Sequence, residues 1–181
     1  MANKYASIVE EQGGRYSDEL LHESALSEAQ LVEIESQIGY DLPKDYREFL
    51  RNYAGISLEC AEFETIRDGN KDELSIWIFY GPALADTYEE VQRNLKDEME
   101  TEWYPGIDLV KEIPSSEIMS WPQELLPIGC DMGGNLICLA LFGLRSHAIF
   151  WWRSNPWPDK QNLYLIANSF DEFMHMLYKA E

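Results

Sequence analysis

The first stretch of this 181-residue chain with the residue types for chemistry is Asp131-Met132-Gly133-Gly134-Asn135, inside Leu125–Leu141. An acidic, glycine-rich loop could cradle a phosphate or a metal ion. A phosphate loop, however, needs Gly-Lys-Ser/Thr running into a helix, and a calcium loop needs acids at alternate positions closed by a Glu. Neither pattern is present. The same residues read as a tight hairpin, because paired glycines admit positive φ and Asp131 and Asn135 can bond nearby backbone N–H groups. His22, His147 and His175 are scattered and stand in no HExxH or nucleophile motif. Cys60, Cys130 and Cys138 form no CxxC pair, and Cys60 and Cys138 sit in apolar surroundings where a thiol behaves as a small hydrophobe. No catalytic set, metal site or cofactor is therefore expected, and the chain is not read as an enzyme.

Charge is the stronger signal. The formal net charge is −19, and 45% of the residues are hydrophobic, enough to bury one core. That balance argues against direct nucleic-acid binding, which needs cations to displace counterions from phosphates. It favours attraction to basic partners. Residues 1–124 hold 28 acids against 10 bases, whereas residues 125–181 hold 5 against 4. The densest acidic run falls at Glu89, Glu90, Asp97, Glu98, Glu100 and Glu102, with only Arg93 and Lys96 to offset it. It reads either as a solvated helix face or as a docking surface for a basic partner. Asp131, at the hairpin turn, and Trp152 join these six as partner-contact candidates. Adjacent Trp151 and Trp152 on a strand must point to opposite faces, so at most one enters the core. The other is either covered or an exposed interface anchor.

These side chains need elements to position them. Tyr5–Glu11 is expected to be a short helix ended by Gly13-Gly14, and a polar connector follows at Arg15–Ala25. Ser27 and Gln30 have capping-box spacing ahead of Leu31, Ile34 and Ile38, and Gly39 is the expected stop. Pro43 suits the first turn of a second helix, Lys44–Tyr53. Leu58–Phe63 and Leu74–Tyr80 read as strands, the latter β-branched and aromatic. Ala83–Trp103 has the spacing of a long helix, and Tyr104–Gln123 that of a proline-punctuated linker with a short helix near Ser115–Trp121. After the Leu125–Leu139 hairpin, Ala148–Trp152 and Leu163–Ala167 are strands, separated by a turn at Ser154–Pro158. Asn168 or Ser169 caps a closing helix, Phe170–Tyr178. No signal peptide or membrane-length apolar run is seen, so a cytoplasmic location is expected with no membrane contact.

Two groups of residues in this order resemble the SUKH superfamily, the Smi/Knr-type domain named after fungal cell-wall regulators. The first is Leu31–Gly39 with Leu42-Pro43, Tyr46, Phe49-Leu50 and Tyr53-Ala54-Gly55. The second is Leu126-Pro127-Ile128-Gly129, Asp131, Gly133-Gly134-Asn135 and Ile137-Cys138, then Ile149–Trp152 and Ala167–Phe170 with Phe173 and Leu177. Asn135 stands where the family often has Asp, and Arg153-Ser154-Asn155 where it is often acidic. The resemblance covers about residues 24–179. It implies a single α+β domain, a curved antiparallel sheet with helices packed against it, over residues 24–181. Residues 1–23 are then an N-terminal extension, and about 83–123 a helical elaboration. It further implies an immunity protein that neutralises a cognate bacterial toxin, such as a nuclease or deaminase. A basic toxin would suit the acidic surface. A regulatory or scaffold module with an unrelated partner is the alternative, and an enzyme or small-ligand binder using the concave sheet stands third.

Overall fold

Ser27 opens α2 (Glu28–Ile38) with the reciprocal capping box its spacing predicts: its hydroxyl accepts from the Gln30 N–H, and Gln30 Oε1 accepts from the Ser27 N–H at 2.9 Å. Gly39, at φ 77, closes the helix by donating to the Glu35 carbonyl. The structure, a computed structural model, describes residues 4–15, 25–67, 69–81, 124–153 and 163–179. The expected Ala83–Trp103 helix, the Tyr104–Gln123 linker with its short helix, the Ser154–Pro158 turn and most of the Arg15–Ala25 connector lie outside these residues. α1 (Ala6–Glu11) precedes α2, and α3 (Lys44–Tyr53) follows it. Pro43 is the N-cap of α3 at ψ 144 rather than part of its first turn, because the chain arrives extended from Asp41-Leu42. α2 and α3 are tied by Glu28, which pairs with Arg47 and Arg51, and by Glu35, which lies 3.5 Å from Arg47 and accepts from the Leu42 N–H.

β1 (Ser57–Arg67) and β2 (Asn70–Phe79) both extend beyond the runs expected from hydrophobicity. Among their added residues Glu64, Lys71 and Glu73 are exposed and charged, and the two strands pair in register from Ala61↔Ile76 to Arg67↔Asn70. β3 (Leu125–Cys130) and β4 (Leu136–Ala140) form the anticipated hairpin, and β5 (Ile149–Trp152) and β6 (Leu163–Ala167) follow. Pro127 is tolerated in a central strand because the ladder shifts register between it and Gly129. Gly129 is required there: a Cβ would lie 2.4 Å from the Ile78 carbonyl oxygen of β2. α4 (Phe170–Met176) starts at Ser169, whose hydroxyl accepts from the Glu172 N–H. It stops at Met176 rather than Tyr178, because Leu177 turns extended at ψ 131 and β7 (Tyr178–Lys179) pairs with β1.

Among the described residues the strands form an open seven-stranded antiparallel sheet in the order β6-β5-β4-β3-β2-β1-β7 within a single α+β domain. β1 and β6 approach each other although four strands separate them, so the sheet is curved. Its core is aromatic. Phe49 of α3 lies 4.7 Å from Phe79 and 5.0 Å from Phe170 of α4, and Phe63 meets Phe173 at 5.3 Å between ring centres. α1 inserts Tyr5 into the same cluster, edge-on to Phe49 and Phe170 and fully buried. Burying rings of this size supplies much of the driving force for folding.

Candidate functional site

The hairpin between β3 and β4 is organised by the Asp131 carboxylate. Its Oδ1 accepts from the backbone N–H groups of Gly133 (2.8 Å) and Asn135 (2.9 Å). Its Oδ2 accepts from Asn135 Nδ2 (2.8 Å) and from the indole Nε1 of Trp151 (3.1 Å). Asp131 is only 7% exposed, so its charge is spent on closing the turn and fixing Trp151. Gly134 takes φ 75, as the hairpin reading expects. Trp151 is buried against Tyr164, with 5.7 Å between ring centres. Trp152 points to the other face, half-buried against a small cluster of Leu125, Cys138 and Ala140.

Glu89, Glu90, Asp97, Glu98, Glu100 and Glu102 lie outside the described residues, as do His22 and Trp157. Cys130 and Cys138 are buried, and burial pushes the Cys138 thiol well above its ordinary pKa, which makes it inert. His147 occupies the β4–β5 turn at φ 73. His175 sits on α4, where its Nδ1 lies 2.8 Å from the Asp171 carbonyl oxygen. Asp171 also accepts from the Tyr5 hydroxyl (3.2 Å) and pairs with Lys4, which together hold its carboxyl below the usual range; Lys4 contributes most. Among the described residues no group of three or more His, Cys, Asp or Glu is arranged to hold a metal, and no helix is long and apolar enough to cross a membrane.

Sequence reasoning missed an acidic face on the β7-β1-β2 end of the sheet. Glu62 and Glu64 share one face of β1; Ser75 and Glu73 lie opposite them on β2, and Tyr178 of β7 lies opposite Glu62. Lys71 bridges to Glu64, which raises the lysine's pKa. Burial and the nearby Glu73, Glu62 and Glu64 raise the Tyr178 pKa, a sign of the local negative potential. Glu64, Glu73, Met176 and Tyr178 line a groove of about 320 Å³. The signal was present as the alternation Ala61-Glu62-Phe63-Glu64-Thr65, a period-two strand with one charged face. At another place on the surface Tyr40 stacks on Phe142 at 4.7 Å, and Leu144 is fully exposed two residues further along.

Comparison with known proteins agrees with this architecture. Residues 25–176 match the SMI1 / KNR4 family (SUKH-1). The chain is also 32% identical over 153 residues to the SPbeta prophage-derived uncharacterized protein YokK of Bacillus subtilis (strain 168), covering 82% of this chain and 72% of that relative. Strands β1 to β6, the α2–α3 pair capped by Ser27 and stopped by Gly39, and the Asp131 hairpin all fall within the matched span, and the chain belongs to the SMI1 / KNR4 (SUKH-1) family.

Proposed function

We propose that this chain is a non-catalytic protein-binding domain, an immunity protein that neutralises a basic bacterial toxin through an acidic surface. The observation that carries this reading is the net charge of −19 on a member of this family. The exposed Glu64 and Glu73 on the β1–β2 hairpin, and the acid-rich run at 89–102, supply negative potential in the N-terminal two-thirds of the sequence. A cationic toxin would be drawn to such a field, and its own nucleic-acid site would be occluded on docking. Reversing Glu98, Glu100 and Glu102 to Lys tests the role of that run. Slower toxin association with an unchanged melting temperature is the expected outcome; unchanged association would remove those three residues from the interface. The exposed Tyr40 and Leu144, with half-buried Phe142 between them, favour a second reading, a regulatory module whose partner binds with little salt dependence.

A further inference from the structure

β1 is eleven residues long, but β7 pairs with it only at Ala61 and Glu62. Among the described residues, no strand flanks Phe63–Arg67 on the side away from β2. In an antiparallel ladder alternate residues turn both backbone groups to the same side, so this stretch presents N–H and C=O groups to an incoming strand. The side chains beside that edge are selective. Glu64 is exposed and faces Glu73 across the β1–β2 pair, and Ile66, two residues further along the same face, is 66% exposed. Like charges directly opposite each other are unfavourable, and Lys71 offsets only part of the pair by reaching Glu64. The groove beside them is lined by the Met176 thioether, the Tyr178 phenol ring and the carboxylates of Glu64 and Glu73. That combination fits the aliphatic stem and cationic head of a lysine or arginine.

We propose that the open edge of β1 at Phe63–Arg67 is a strand-addition site for an extended, basic segment of the partner protein. The added strand continues the line of β7. It places a Lys or Arg opposite Glu64, in the Glu64–Glu73–Tyr178 groove, and an apolar side chain opposite Ile66. Backbone hydrogen bonds hold the segment, and the alternating side chains select it. This deepens the immunity reading and rests on it for the choice of a basic partner.

The test uses the full chain and a synthetic decapeptide built on the repeat Thr-Lys-Thr-Val, which sets a lysine and a valine two residues apart on one face, with amide hydrogen exchange and fluorescence anisotropy as readouts. The peptide should slow exchange at amides within residues 63–67 and bind more weakly as salt rises. The same peptide N-methylated at every second residue keeps its charge but loses its backbone donors, and it should bind roughly tenfold more weakly or worse. Glu64→Lys together with Glu73→Lys should abolish binding while leaving the melting transition intact. Equal binding of the two peptides, or protection confined to other parts of the chain, would overturn the proposal and leave the charges as a guard against edge-to-edge aggregation. The toxin-neutralisation reading does not enter this readout, so the edge site and the immunity role can fail separately.

Discussion

Asp131 shows how one side chain can look functional in a sequence and act structurally in a fold. Its two oxygens accept four hydrogen bonds, two from backbone and two from side chains, and Trp151 depends on one of them. Asp131→Ala removes the carboxylate that accepts from the buried indole N–H and the Asn135 amide, and should cost about 3 kcal/mol in urea denaturation with an unchanged slope. An unaltered midpoint would contradict the account. Asp171 acts more gently. Lys4 first, then the Tyr5 hydroxyl, lower its pKa in the folded state, so its contribution is fully present above the unfolded carboxyl pKa and is lost as pH falls through the lower, folded value. The pair is substantially exposed, so Asp171→Asn should flatten that acid limb by only about half a kcal/mol. Stability curves of the two proteins from neutral pH down to pH ~2 check this.

At the scale of elements, the first helix is more than a loose extension of the sheet domain. α1 lies before the matched span, yet Tyr5 is fully buried between Phe49 and Phe170, and Arg15 and Ser57 exchange backbone hydrogen bonds just after the helix. Tyr5→Ala should destabilise the whole domain by about 3–5 kcal/mol in one cooperative transition. A biphasic melt would show instead that α1 undocks by itself. Gly134→Val should also lower the melting temperature, by the equivalent of about 1–3 kcal/mol, because a β-branched residue tolerates φ 75 badly. A wild-type melt would overturn the hairpin account. Where local chemistry decides structure, as at Ser27–Gln30, Gly39 and Asp131–Asn135, the sequence was legible almost to the residue. It was illegible where tertiary pairing decides. The outer halves of β1 and β2 are mostly charged and polar, so their alternation reads weakly, and Tyr178 continues the apparent helix until β1 captures it as a strand. The acidic sheet face was obscured for the same reason: Glu64 and Glu73 become neighbours only once the hairpin forms.

For the whole molecule, β1 and β2 turn Phe63, Ile76 and Ile78 into the helix-covered interior and Glu64 and Glu73 outward on the opposite face, so the exposed charges can be altered without removing core side chains. The interior sets stability, and in the proposed function the acidic exterior sets which partners approach and how fast. Screening by salt should therefore slow association with a basic partner far more than it changes the fold. The most direct test of the immunity role is growth rescue. The basic protein captured by this chain at low salt, from the source cell or its close relatives, is expressed in a sensitive host with and without the chain. The account predicts that the captured protein is toxic alone, that growth is restored when this chain is co-expressed, and that the complex dissociates at high salt. A salt-indifferent partner whose expression is harmless, or a toxin that this chain leaves active, would contradict it.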